Sequence, residues 1–300
     1  MRNALKPIDL LSILFIALLM LITMTAFSAI PHWGWLLVRY GTLIIAVISL
    51  AWYVHYAHAG KSATLLYVFL PVLIVPILFD SLGDLIPWVR PEYIDNLLIR
   101  ADYALFSVHP TVWLERAIHP ALTNALQFAY ISYYFIPLSL GVTLAVKKKA
   151  IDFDEAIFGI VLCFYLSYLG YIVFPAIGPR FTLAQLQTAD LQAGPVTLII
   201  QQTLNGLENT KTDAFPSGHT AVALMTLYYA WKAKEKILSA LLLPIVLALI
   251  FSTVYLRYHY VIDIIAGILL TVLTAYLAPG LYGVFLRATG RAADKLHDTA

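Results

Sequence analysis

Charged residues are scarce in this chain. Only 12% of its 300 residues are Asp, Glu, Lys or Arg, whereas about a quarter are charged in typical soluble domains. Hydrophobic residues make up 61% and the mean hydropathy is +0.82. This balance excludes an ordinary soluble domain and indicates a polytopic membrane protein. The net charge of +2 gives no reason to expect a nucleic acid partner.

Cysteine is almost missing. The single residue, Cys163, lies inside an apolar run, so an internal disulfide is excluded and a metal-thiolate site is disfavoured. The sequence also has no internal repeat and no low-complexity tract. Neither a disulfide scaffold nor a repeat architecture is therefore expected.

Long apolar runs are abundant instead. A membrane-spanning helix needs about 20 mainly apolar residues. Such runs lie near 10–30, 36–57, 62–80, 120–146, 156–177, 217–233, 237–256 and 261–286. They predict an all-α polytopic bundle of about eight transmembrane helices. The first run is longer than the core of a secretion signal, so we interpret it as a retained span.

Basic residues predict the orientation. With a cytoplasmic N-terminus, twelve of the nineteen Lys and Arg residues lie on the same side as that terminus, including Lys147, Lys148 and Lys149 in a short turn. Positive residues in short loops favour the cytoplasmic side. Both termini are therefore expected in the cytoplasm.

Two long connections are expected on the outer side. In the first, helical spacing indicates a helix lying in the membrane interface. Its apolar residues are Ile94, Leu97, Leu98, Ala101 and Leu105. The second has an apolar patch after Pro195 that fits another interfacial helix or a lid over a site. Simple connectors that shield the bundle explain both segments equally well.

Three polar clusters are predicted at this same outer face. They are Pro175–Arg180, Pro216–His219 and Arg257–Asp263. A single intramembrane histidine is more often a packing residue than a catalyst. Three clusters at one depth point to function, because ionisable groups close to hydrocarbon are costly.

The last cluster pairs a histidine with a carboxylate. His259 and Asp263 are four residues apart and share one face of a helix. The carboxylate can accept a hydrogen bond from one imidazole nitrogen, which leaves the other free as a base or nucleophile. The pair could also belong to a metal site, but no ligand set with recognisable spacing accompanies it.

The middle cluster is a helix start suited to an anion. Pro216 and Ser217 favour the first positions of a helix, where the backbone N–H groups of Ser217, Gly218 and His219 point outward. Gly218 allows a close approach to the backbone. A phosphate is the anion that fits best.

Two arginines complete the predicted site. The guanidinium groups of Arg180 and Arg257 can clamp the oxygens of a phosphoryl group. Alternatively, each arginine reaches toward the membrane interface without a catalytic role.

The motif PSGH, followed about forty residues later by His-x-x-x-Asp, resembles the type-2 phosphatidic acid phosphatase superfamily. The resemblance implies that His259 is the nucleophile that forms a phosphohistidine, that Asp263 orients it, and that His219 is the general acid. It also implies that Ser217 and Gly218 contact the phosphate. No metal or cofactor is implied.

The motifs depart from the usual phosphatase pattern. The Lys-x6-Arg-Pro motif is missing, and Ser252-Thr253 stands where Ser-Arg is usual, with the arginine at position 257. This variant, with FPAIGPR and YLRYHYVIDIIAG, resembles the inositol phosphorylceramide synthase branch. The resemblance covers residues 93–275, while 1–80 hold N-terminal spans of unclear role within a single membrane domain, 1–300.

The expected activity is transfer of a phosphoryl-linked head group from a phospholipid donor to a lipid alcohol. Hydrolysis of a lipid phosphate is the alternative, and a proton-coupled or anion transporter is a different class. The active site is expected on the periplasmic or lumenal face. The sequence names neither the lipids nor the oligomeric state.

Overall fold

The computed structural model describes residues 4–57, 60–191, 194 and 209–291. The structure is 79% helical, and no strand occurs in these ranges apart from an isolated bridge between Ala176 and Asp213. The predicted all-α class is confirmed.

The helices follow the apolar runs closely. The α-helices of the described ranges are α1 (Pro7–Thr25), α2 (Trp33–Tyr56), α3 (Lys61–Val89), α4 (Asp95–Phe106), α5 (Pro110–Trp113), α6 (Pro120–Ile131), α7 (Ile136–Val146), α8 (Ala150–Val173), α9 (Pro179–Thr182), α10 (Gly218–Lys232), α11 (Lys236–Tyr255) and α12 (Val261–Ala288). Short 3₁₀ helices follow α5, α6 and α9 at Leu114–Ala117, Ser132–Tyr134 and Ala184–Leu186.

All eight predicted spans are helical, but only six are single helices long and apolar enough to cross a bilayer: α1, α2, α3, α8, α11 and α12. These six support an integral membrane protein. The predicted span 120–146 is a pair, α6 and α7, bent by 49°, where a 3₁₀ turn and Pro137 interrupt the helical hydrogen bonds. The predicted span 217–233 is α10, which has only 15 residues.

Helix α8 lies at the centre of the bundle. It packs against α1, α3, α7, α10 and α12, and it is more deeply buried than the other five membrane-length helices. Phe158, Tyr165 and Tyr168 are among its buried side chains. Because α8 contacts both the N-terminal helices and the helices that carry PSGH and His-x-x-x-Asp, it joins the two parts of the chain.

Helix α4 forms where an interfacial helix was predicted, and Leu97 and Leu105 are exposed. Its buried face differs from the expected apolar one, since Asp95, Leu98 and Asp102 lie on it. Helix α4 is therefore attached to the protein through carboxylates as well as through apolar packing. The patch after Pro195 in the second connection lies outside the described residues.

Candidate active site

Helix α10 begins at the PSGH motif because Ser217 caps it. The Ser217 Oγ accepts a hydrogen bond from the Thr220 N–H at 3.2 Å, which satisfies one of the unpaired donors of the first turn. The Ser217 N–H donates to the Asp263 carbonyl at 3.1 Å. The start of α10 is thereby fixed against the first turn of α12.

Glycines allow these two helix starts to meet. A Cβ added to Gly267 of α12 would lie 2.6 Å from the Ser217 carbonyl oxygen. A Cβ added to Gly218 would lie 2.1 Å from the Tyr171 Oη. The close approach at Gly218 is thus to a tyrosine of α8, whereas the sequence suggested an approach to phosphate.

Two histidines from different elements meet at this point. His219 lies in the first turn of α10, and His259 lies in the loop before α12. The His219 Nδ1 is 3.2 Å from the His259 Nε2. The structure therefore brings together two side chains that are forty residues apart in the sequence.

The tautomer of His259 follows from the contact that its Nδ1 makes, the ring nitrogen that does not face His219. The His259 Nδ1 lies 2.8 Å from the Ala214 carbonyl oxygen, which can only accept, so in the neutral ring Nδ1 carries the proton. The Nε2 then carries the lone pair, which accepts a hydrogen bond from the His219 Nδ1. This is the form that a nucleophilic imidazole requires.

Asp263 lies behind His259, as the spacing predicts, but it is the more distant partner. Its Oδ2 is 3.4 Å from the His259 Nδ1 and accepts a hydrogen bond from the Tyr260 N–H at 2.8 Å. The side chain is fully buried. Asp263 thus fixes the backbone around His259, while the Ala214 carbonyl makes the shorter contact to the ring.

Asp95 and Asp102 of α4 support the site, and the sequence analysis gave them no role. Asp95 accepts hydrogen bonds from the N–H groups of Ile177 and Gly178 at 3.0 and 2.9 Å. Asp102 accepts from the N–H groups of Val261 and Ile262 at 2.9 and 2.8 Å. A carboxylate at a helix N-terminus is favoured by the helix dipole, so Asp102 stabilises the start of α12. Their helical spacing on one face was the signal in the sequence.

Arg257 has a left-handed backbone, φ 67°, and is 7% exposed. Its Nη2 lies 2.9 Å from the Glu115 Oε1 and 2.6 Å from the Ala189 carbonyl oxygen. A phosphate at this guanidinium must therefore share it with Glu115, or replace Glu115. The sequence gave no indication of this ion pair, which joins residues 142 positions apart.

Arg180 lies in α9, beside aromatic rings. Its guanidinium carbon is 4.7 Å from the centre of the Phe181 ring and 5.0 Å from that of Tyr258. Tyr258 in turn stacks on Tyr130 at 4.4 Å. The aromatic face fixes the direction of the guanidinium.

A polar pocket of about 30 Å³ lies between these groups. Four of the seven predicted site residues line it: Arg180, His219, Arg257 and His259. Ser217, Gly218 and Asp263 do not line it, since they are buried behind it. The pocket therefore presents the two arginines and the two facing imidazoles, with Lys211 as a third cation, while the other three predicted residues hold the backbone around it.

Asp213 also lines the pocket, and the sequence analysis gave it no role although it lies four residues before Ser217. The neighbouring Ala214 N–H donates to the Ala176 carbonyl at 3.0 Å, which holds the Asp213 segment against the loop before α9. Burial raises the pKa of the Asp213 carboxyl, and nearby His259 acts in the opposite direction. Burial lowers the pKa of His259, and Asp213 raises it.

A larger, apolar cavity of about 230 Å³ adjoins the same site. Helices α3, α7 and α8 form its walls, and His219 and Asp213 lie at one end of it. Among the described residues, no group of three or more His, Cys, Asp or Glu side chains is arranged to hold a metal ion.

Fold and site together define a helical integral membrane protein with a histidine pair and two arginines around one pocket. The family model of the PAP2 superfamily matches residues 96–277. This is more than half of the chain, and the protein belongs to that superfamily, which the PSGH and His-x-x-x-Asp motifs resemble. No curated protein and no solved structure matches the chain.

Membership supports an enzyme of the lipid phosphatase or phosphotransferase type that acts on membrane lipids. The site agrees with this chemistry. It offers a nitrogen lone pair at His259, a proton donor at His219, and positive charge for phosphoryl oxygens.

Proposed function

We propose that the protein is a membrane lipid phosphotransferase that moves a phosphoryl-linked head group from a phospholipid donor to a lipid alcohol through a phosphohistidine. The observation that carries the proposal is the contact of 3.2 Å between His219 and His259. It puts a lone pair and a proton donor side by side at the polar pocket.

In the first half of the reaction the His259 Nε2 attacks phosphorus, so that an N–P bond forms and the P–O bond to the leaving alcohol breaks. His219 starts as the imidazolium, gives one proton to the departing oxygen and becomes neutral. Arg180 and Arg257 hold the remaining phosphoryl oxygens and offset their charge.

In the second half a lipid hydroxyl attacks phosphorus and gives its proton to His219. The new P–O bond forms as the N–P bond breaks, and both histidines return to their starting protonation state. Water in place of the hydroxyl makes the same cycle a phosphatase reaction.

Two observations favour a lipid acceptor over water. The apolar cavity ends at His219, so the proton-transferring group faces a space suited to hydrocarbon. The motif variant with Arg257 resembles inositol phosphorylceramide synthases, which use a lipid hydroxyl. The proposed catalytic core is 93–275, with 1–80 as additional spans.

We place the active site on the extracytoplasmic face, with both termini in the cytoplasm. The basic residues Lys147, Lys148 and Lys149 lie in the turn between α7 and α8, at the opposite ends of these helices from the histidine pair. The positive-inside bias puts that turn in the cytoplasm. A cysteine-labelling experiment with a membrane-impermeant reagent tests this orientation.

The activity is tested with purified protein and labelled lipids: phosphatidic acid, phosphatidylinositol and a polyprenyl diphosphate, each with and without ceramide or diacylglycerol. We expect a new phospholipid that forms only when an acceptor is present. Release of phosphate or head group regardless of acceptor would identify a phosphatase.

The transporter class is tested in the same preparation after reconstitution into vesicles. A transporter keeps substrate uptake in the His259→Ala variant, whereas a phosphotransferase loses all turnover. Uptake by wild type without any lipid product would overturn the proposed function.

A further inference from the structure

The apolar cavity is long and continuous along α8. Its lining residues there form one helical stripe: Phe153, Ile157, Val161, Phe164, Tyr168 and Tyr171. At 1.5 Å per residue, the stripe from Phe153 to Tyr171 extends over about 27 Å. One leaflet is only about half of the 30 Å hydrocarbon core. The α8 wall is therefore longer than one leaflet, whereas the α3 wall, from Val68 to Phe79, covers about 17 Å.

One end of this cavity reaches the catalytic groups. Tyr133, Asp213 and His219 line that end, and the ring centre of Tyr133 is 4.4 Å from that of His219. Asp213 and His219 also line the polar pocket. A molecule with a phosphate in the pocket can thus extend its chain directly into the cavity.

The cavity opens toward the outside of the bundle. Val72 of α3 and Tyr134 both line it, and they are 43% and 45% exposed. In a membrane these positions face lipid, so a chain can enter sideways without passing through water. An apolar lining exposed in this way suits a hydrocarbon and offers little to a polar ligand.

Helix α3 supplies one wall, although it lies before the region that matches the superfamily, residues 96–277. Its lining residues fall between Val68 and Phe79 and include Pro71 and Pro76. Proline inside a helix removes a backbone hydrogen bond and bends the axis. This wall is thus supplied by the N-terminal spans, outside the matched region.

We infer that the cavity binds one hydrocarbon chain of the lipid substrate, and that α3 sets which chain lengths are accepted. The inference rests on the proposed function for the statement that this lipid is the substrate. The binding of the chain itself does not depend on turnover.

Matched variants of α3 test the selectivity. Val72→Trp fills the cavity from α3, while Leu73→Trp adds the same side chain at a neighbouring position that is similarly exposed but does not line the cavity. Turnover of a long polyprenyl phosphate and of a long-chain phosphatidic acid is compared with that of dioctanoyl phosphatidic acid. The two long substrates show which kind of chain the cavity accepts.

For Val72→Trp we expect kcat/KM to fall about tenfold or more for the accepted long-chain substrate, the effect of losing about two buried methylene groups, with little change for the dioctanoyl lipid. Leu73→Trp should change neither. An equal loss on long and short chains, or no loss at all, would overturn the inference.

Gly141→Leu is a second variant, made from α7. A Cβ at Gly141 meets Phe153 and Ile157 at 3.7 and 3.8 Å, which is ordinary van der Waals contact. The added side chain therefore begins at the cavity wall without a clash at its Cβ. It should reproduce the chain-length effect of Val72→Trp even though it lies on the opposite wall.

A binding measurement separates this inference from the proposed function and does not need any variant to fold. Wild-type protein is irradiated with phosphatidic acid and with polyprenyl phosphate that carry a diazirine near the end of the chain, and labelled peptides are mapped. Label in Val68–Phe79 and on the α8 stripe supports the inference even if the protein turns over no lipid. Turnover with label confined to other helices would contradict it while leaving the proposed function intact.

Discussion

The polar pocket and the apolar cavity differ in almost every respect. The first measures about 30 Å³ and is lined by two arginines and two histidines, while the second measures about 230 Å³ and is lined mainly by aliphatic and aromatic side chains. Of the described residues, Asp213 and His219 line both. The difference indicates that the polar pocket is suited to the phosphoryl group and the apolar cavity to the hydrocarbon.

The largest effect should come from the nucleophile in the polar pocket. We expect His259→Ala to reduce lipid turnover to background, because the variant lacks the lone pair that is proposed to attack phosphorus. Chain labelling in the apolar cavity should continue, since His259 does not line it. Turnover is followed with labelled lipid, and a normal rate in this variant would disprove the mechanism.

The shared residue His219 should give the next largest effect. Loss of the general acid in His219→Ala should lower kcat about 10²- to 10⁴-fold with a natural lipid. A lipid analogue with a nitrophenolate leaving group needs little protonation and should lose much less in the first half of the reaction. This is measured as the initial burst of nitrophenolate. Equal losses of rate with both leaving groups would show that His219 is not the general acid.

Asp213 is the other residue that lines both the pocket and the cavity. Its substitution should have the smallest effect, a change in the pH dependence of activity. Burial lowers the pKa of His259 and the Asp213 carboxylate raises it. His259 attacks only when neutral, so activity is lost as the pH falls through that pKa. Asp213→Asn removes the raising charge, and the acidic limb of the kcat/KM profile should move to lower pH. An unchanged limb would show that the two groups do not interact, and a shift to higher pH would contradict the expected direction.

The helices were predictable because apolar runs of membrane length leave few alternatives, and the superfamily assignment from PSGH and His-x-x-x-Asp is confirmed. The bend between α6 and α7 was not predicted, since the apolar run continues through the 3₁₀ turn at Ser132–Tyr134. The predicted bounds of α10, 217–233, were nearly correct. The helix has 15 residues and is therefore shorter than an ordinary membrane span.

The site was predictable to the extent that its residues lie in recognisable motifs. The motifs placed His219, His259 and the two arginines at one face, and the structure gathers all four around one pocket. Their catalytic roles remain predictions. The ion pair of Arg257 with Glu115 and the hydrogen bonds of Asp95 and Asp102 join distant parts of the chain. The helical spacing of Asp95 and Asp102 indicates that they share one face, but no local pattern identifies the partners of these residues or of Arg257.

Helix α4 has a consequence for anyone who recombines this protein with relatives. Asp95 and Asp102 hydrogen-bond it to the loop before α9 and to the first turn of α12. A chimera that exchanges only the outer connection breaks these bonds even when every motif residue is kept. The smallest unit that can be transplanted intact therefore includes α4 together with both loops that it supports.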